Sequence, residues 1–347
     1  MTGPDVAALP KAVLHDHLDG GLRVETVVEL ADQVGYRGLP TNDIENLRAY
    51  FHQGSSGSLV RYLEPFTHTV ALMQTEEAIS RVAYESVRDL ADDGVVYAEI
   101  RFAPSLLTTG GLSLTAVLEA AIEGCRRAAS VGGIVIGGVI ACAMRQDTDS
   151  VEVATAAAQV AGRGVVGFDL AGPERGFPAD DFIEACRIAR GAGLGLTVHG
   201  GEADGPHSMW RALARCGAMR IGHGVRVVED CDYDGRTIAS LGRFATSVRD
   251  HRIPLEVAIT SNVHTASVPS LEKHPFGALY REGFNVSINT DNRLMSGVTV
   301  SSEYRLAASR FDLTEDDLYR ITISAIEAGF GDYRERRAVI EAIDTAR

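Results

Sequence analysis

Eight short apolar runs recur along the chain, separated by longer amphipathic segments, and no other feature limits the possible folds so sharply. The runs are Ala12–Leu18, Gly94–Phe102, Ile134–Met144, Val165–Leu170, Leu194–His199, Arg220–Gly224, Pro254–Thr260 and Phe284–Asn289. Several are β-branched and most are nearly continuous in hydrophobicity, as strands buried on both faces of a parallel sheet are. Between them, Glu76–Asp92, Ser113–Ala129, Ser150–Ala161 and Ala179–Arg190 have helical periodicity. Glu76, Glu77, Asp180 and Asp181 fall where acidic residues favour a helix start. Eight strands alternating with helices predict an α/β fold of the (β/α)8 TIM-barrel type, because eight parallel strands can close and leave no edge.

The 347 residues hold no Gly/Ser/Pro linker long enough to divide them, so one domain over 1–347 is expected. His52–Ser58 (HQGSSGS) is the nearest thing to a linker. It lies in an insertion after the first strand, residues 41–75, that a minimal barrel does not need and that predicts a helical lid or site wall. Leu313–Arg347 reads as additional C-terminal helices. The 33 Lys+Arg against 47 Asp+Glu leave a net charge of −14, which argues against nucleic acid, anionic membrane and polyanionic substrates. Five scattered cysteines without a CxxC pair suggest reduced thiols in the cytoplasm. The N-terminal segment lacks a leader pattern, and no run approaches 18 apolar residues.

The chemistry-bearing side chains collect at the C-terminal ends of the strand candidates. The first ends in LHDHLDGG, where His15, His17 and Asp19 alternate and so face one way, into the barrel mouth. An HxH pair alone is more readily read as two hydrogen-bonded loop histidines. The other strands change that reading. The fifth ends in TVHGGE with His199 and Glu202, the sixth in GHG with His223, and the eighth in SINTDN with Asp291 and Asn292. That end of a barrel carries the active site in essentially every characterised barrel enzyme. His15, His17, His199 and Asp291 make a three-nitrogen, one-oxygen set that, with a water, forms an open catalytic zinc site. VVGFDLAGPE, the fourth strand, has no lysine to bridge a second ion, so one Zn²⁺ per chain is expected. Glu202 is then placed to move protons. His52, His68, His207, His251, His264 and His274 have no partner pattern, Met144 and Arg145 read as wall and support, and neither GxGxxG, GxxxxGKS nor GxSxG occurs.

Read together, the segments resemble the adenosine deaminase family of zinc aminohydrolases, in order and over almost the whole chain: LHDHLDGGLR, GVVYAEIRFAP, CAMR, VVGFDLAGPE, TVHGGE, RIGHGV, TSNVHT and INTDN. The resemblance implies zinc held by His15, His17, His199 and Asp291, with Glu202 donating a proton to purine N1. It implies that His223 orients the attacking hydroxide, that Asp19 holds a ribose hydroxyl and that the Gly172 N–H meets purine N3. Leu59, Tyr62, Leu63 and Phe66, spaced i, i+3, i+4, i+7, resemble a lid helix over the sugar. The implied reaction is deamination of adenosine or 2′-deoxyadenosine. Its rivals are the same chemistry on adenine, 5′-methylthioadenosine or 6-amino-6-deoxyfutalosine, and an inactive nucleoside-binding relative. Three positions depart from the family pattern. Asn292 stands where most members have a second Asp, and an Asn amide can donate to purine N7 without a shifted pKa. Gly200 replaces the usual Ala, and Ile259 stands where bacterial relatives tend to have Pro.

Overall fold

The computed structural model describes residues 4–347; residues 1–3 of the expected domain, and of the N-terminal segment read above, lie outside the described residues. The strands, in chain order, are β1 (Lys11–His17), β2 (Val95–Phe102), β3 (Val135–Met144), β4 (Val165–Ala171), β5 (Gly195–Gly200), β6 (Arg220–His223), β7 (Cys231–Tyr233), β8 (Ile238–Leu241), β9 (Leu255–Val257) and β10 (Val286–Ile288). Eight of them form one parallel sheet in the order β1-β2-β3-β4-β5-β6-β9-β10, with helices between successive strands, so the TIM barrel expected from the sequence is the fold. The seam between β10 and β1 has no regular ladder. Asp291 spans it, accepting from the His17 N–H at 2.7 Å and donating to the His15 carbonyl at 2.9 Å. Below it, the Asn289 side chain accepts from the Leu14 and His15 N–H groups.

Two expectations need correction, and two features go beyond what was expected. The seventh run does not stay extended to Thr260: β9 stops at Val257 and Ile259–His264 is a helix. One of the free amides in its first turn, at Thr260, donates to the buried Glu303 carboxylate at 3.0 Å, which satisfies a group that a strand would have paired with a neighbour. In the insertion, Leu59–Tyr62 and Phe66–Leu72 are two helices, not one, because Pro65 has no N–H to continue the ladder. The antiparallel pair β7 and β8 was not anticipated; both strands are short and lie outside the barrel. Finally, the C-terminal helices (Glu315–Ala328 and Tyr333–Ala346) do more than cover the barrel. The turn between them plugs its floor: the Arg220 guanidinium lies 3.6 Å from the Phe330 ring centre, and the Gly331 N–H donates to Tyr97.

Candidate active site

The barrel interior is apolar at few of its central positions. Arg101, Asp169, Arg220 and Glu256 project inward from β2, β4, β6 and β9 and are buried. Arg101 donates to Asp169 at 2.9 Å and to Glu256 at 2.7 Å; Arg220 donates to Glu256 at 2.6 Å and reaches Glu99 at 2.8 Å. Burial alone would raise the pKa of Glu256, but Arg101 and Arg220 hold it well below the usual carboxylate range. Asp169 is likewise kept ionised against burial, by His199 and Arg101.

These anions orient the histidines above them. His15 Nδ1 donates to Glu256 at 3.1 Å, and His199 Nδ1 donates to Asp169, 2.9 Å from its nearer oxygen. With Nδ1 committed, both rings turn Nε2 toward one point, the arrangement a metal-binding imidazole needs. His17 Nε2 lies 3.2 Å from each of those nitrogens, and Asp291 Oδ1 lies 3.4 Å from His15 Nε2 and 3.5 Å from His17 Nε2. A tetrahedral ion about 2.0–2.1 Å from each donor requires donor–donor edges of about 3.4 Å. The four groups therefore fit one metal ion. His15, His199, His223 and Asp291 also offer atoms within 4.8 Å of one another. The shorter spacings favour His17 over His223, whose Nδ1 is engaged 3.0 Å from Asn262 Nδ2 and whose Nε2 faces Glu202 at 3.7 Å. Burial holds both His17 and His223 well below their usual pKa, so the rings are neutral.

Two residues on this surface have left-handed backbone without being glycine: His223 at φ 64° and Asp291 at φ 58°. Such conformations persist only where the surroundings enforce them, and they cluster at functional sites. Gly222 shows the crowding that accompanies them, since a Cβ there would lie 3.1 Å from His15 Cε1 and 3.2 Å from His199 Cα. Asp291 is fixed further by Ser261, whose hydroxyl donates to Oδ2 at 2.6 Å.

A cavity of about 590 Å³ opens over this cluster. Of the residues singled out from the sequence, His17, Asp19, Gly172, His199, Glu202, His223, Asp291 and Asn292 line it, and His15 lies fully buried beneath. The opposite wall is apolar, built by Leu59, Tyr62, Leu63, Phe66 and Leu106. Both short helices of the insertion thus face the cavity despite the break at Pro65. Burial, with Asp291 adding to it, pushes the Glu202 carboxyl up to about 8, so it carries a proton at neutral pH. Burial likewise raises Asp19 to about 7, and its Oδ1 has no hydrogen-bond partner in the protein. Glu256, Asp169, Arg101, Ser261, Asn262 and Glu174 were missed from the sequence. A signal existed for three of them: EIRF, FDL and LEV each place a charge inside a strand expected to be buried on both faces, and such a charge needs a partner.

Imidazole and carboxylate donors grouped at this end of a barrel can hold one metal ion, the arrangement that metal-dependent hydrolases of the barrel class use. The adenosine deaminase family profile matches residues 10–346, and the chain belongs to that family. It is 48% identical to an adenosine deaminase of Mycolicibacterium gilvum (strain PYR-GCK), over 99% of this chain and 96% of that one. Among solved structures, it is similar to an adenine deaminase from Arthrobacter aurescens, with a TM-score of 0.85 and 25% identity over 98% of this chain and 99% of the other. It is also similar to an Arabidopsis N6-mAMP deaminase, with a TM-score of 0.84 and 27% identity over 98% and 99%. Among the described residues, no helix is long and apolar enough to cross a membrane.

Proposed function

We propose that the protein converts adenosine and 2′-deoxyadenosine, with water, to inosine and 2′-deoxyinosine plus ammonia. The observation that carries this reading is the buried Glu202 beside the four-donor cluster, its carboxyl pushed up by burial, in a cavity large enough for a nucleoside. Three imidazole nitrogens and one carboxylate oxygen suit zinc, one ion per chain, held by His15, His17, His199 and Asp291. Bound there, zinc lowers the pKa of a water to about 7 and supplies hydroxide at neutral pH.

The chain's own residues do the rest. Glu202 donates its proton to purine N1, which removes electron density from C6 as the ring loses aromaticity. His223 orients the nucleophile, and Asp291 accepts its proton for delivery to the leaving ammonia. The Gly172 N–H meets N3 and the Asn292 amide meets N7. Asp19 takes a ribose hydroxyl, the partner its buried Oδ1 lacks. Residues 41–75 act as the lid over the sugar, with Leu59, Tyr62, Leu63 and Phe66 excluding water.

The lining favours a nucleoside over the alternatives. It contains three carboxyl groups, Asp19, Glu202 and Asp291, and neither Lys nor Arg, so a 5′-phosphate would enter without a counter-charge. A bare adenine would leave Asp19 and the apolar wall unused. The partner is thus a small purine nucleoside rather than nucleic acid or membrane, and the five free cysteines fit work in the cytoplasm. The test is a panel of adenosine, 2′-deoxyadenosine, adenine, AMP and 5′-methylthioadenosine with zinc-replete protein, following purine absorbance and ammonia. Adenosine and its deoxy analogue are expected to turn over fastest; preference for adenine, AMP or 5′-methylthioadenosine would overturn the assignment.

A further inference from the structure

Glu174 lies two residues past Gly172 on the loop that follows β4, and it is buried. Its carboxylate accepts only backbone N–H groups, four in succession. Oε1 accepts from Gly201 at 2.9 Å, and Oε2 accepts from Glu202 at 3.1 Å and from Ala203 and Asp204 at 2.8 Å each. Successive amides turned toward one point form a concavity that binds anions. Gly201 makes the turn possible at φ 68°; a Cβ there would lie 2.6 Å from Met209 Sδ and 3.2 Å from Gly224 Cα. The anion in this concavity is a side chain of the neighbouring loop, and the amides belong to the loop that carries Glu202. Both flanks are also held. Arg145 donates to the His199 and Phe177 carbonyls at 2.6 Å each, and Arg175 donates to the Ala203 carbonyl at 3.1 Å.

We propose that Glu174 is a positioning residue for the deamination, fixing the Glu202 loop through these four amides and tying it to the loop whose Gly172 reads the purine. The inference rests on the functional reading above. A general acid works only within about 2.6–3.2 Å of the atom it protonates, and a displacement of about 1 Å can cost about 10²-fold in rate. Burial and the Asp291 charge push the Glu202 carboxyl up, His199 opposes them, and the Glu174 charge adds a smaller push. The geometry of the Glu202 loop is therefore set by a side chain that does not line the cavity.

The test is Glu174→Gln, which keeps the volume but removes the charge and turns one of the two acceptor atoms into a donor. Amide hydrogen exchange at residues 201–204 should quicken at least tenfold, with β5 unchanged. The kcat for adenosine should fall about 10²-fold while KM and bound metal stay within about twofold. In a Glu202→Gln background the same change should cost nothing more, because the group it positions is gone. Unchanged exchange, unchanged kcat, or a loss that tracks metal content or KM overturns the proposal. Should Glu174→Gln not fold, Glu174→Asp keeps the charge but shortens its reach, and the same split is expected at smaller size. If the unmodified enzyme deaminates no 6-aminopurine, the functional reading fails, whereas the exchange rates still decide whether Glu174 anchors this loop.

Discussion

The floor and the mouth of the barrel are both polar and both buried, yet they handle charge in opposite ways. At the floor, Arg101, Arg220, Asp169, Glu256 and Glu99 pair with one another at 2.6–2.9 Å, and Phe330 covers them. At the mouth, Glu202 and Asp19 are buried acids without cationic partners, raised to about 8 and about 7, and Asp19 Oδ1 and Asn292 Oδ1 accept from nothing in the protein. Paired charges set geometry, while unpaired acids hold protons and await a ligand. The two layers meet at the Nδ1 atoms of His15 and His199, where floor carboxylates aim mouth nitrogens.

Substitutions can separate the two layers. At the mouth, His15→Ala should abolish both metal retention and turnover, measured by elemental analysis and ammonia release; a metal-free variant that remains active would break the contrast. Glu202→Gln should keep its metal and lose about 10²–10⁴-fold in kcat, the usual worth of a general acid. At the floor, Glu256→Ala leaves Arg101 with only Asp169 and Arg220 with only Glu99, two buried cations each short of one carboxylate. It should cost about 3–5 kcal/mol in denaturant unfolding and weaken metal binding about 10–100-fold. If Glu256→Ala is as stable as its parent, the floor is not the structural layer. A milder effect is expected of Asp19→Asn: KM for adenosine rises about tenfold, as for loss of one good hydrogen bond, with stability within about 0.5 kcal/mol.

The smallest effect is a pH dependence at the helix that carries Ser261 and Asn262. Burial raises Glu303 to about 7, although it accepts from Thr260 and so caps the helix bearing Ser261 and Asn262. Its folded pKa exceeds the ordinary value, so the folded state binds the extra proton and its stability is highest at acid pH. That advantage is lost as pH rises from about 4.5 through about 7. Compared with a Glu303→Gln variant, the parent should lose about 2–5 °C of relative Tm across this window. A flat difference would remove Glu303 from the account.

Much of this was legible in the sequence because strand period and strand-end chemistry are local properties. His15, His17 and Asp19 on one run, and His199, His223 and Asp291 at the ends of others, needed only the barrel to bring them together. What escaped depends on contacts between distant segments. Nothing within Ile259–His264 states that its Thr260 amide will be capped by Glu303 from 43 residues away, and a β-branched run of this kind reads as strand. Pro65 interrupts the apolar spacing of Leu59, Tyr62, Leu63 and Phe66 that reads as one helix. Glu174 looks like a surface charge in GPERG until the loop that folds onto it is known.

The central claim is that side chains from separate strands hold one divalent ion beside a protonated acid and so deaminate a purine nucleoside. The most direct test measures metal content and product on the same sample: one zinc per chain, inosine and ammonia formed in equal amounts, and both lost on chelation and restored by zinc. Full turnover in a stripped sample, or a fully loaded one that releases no ammonia from adenosine, would contradict it.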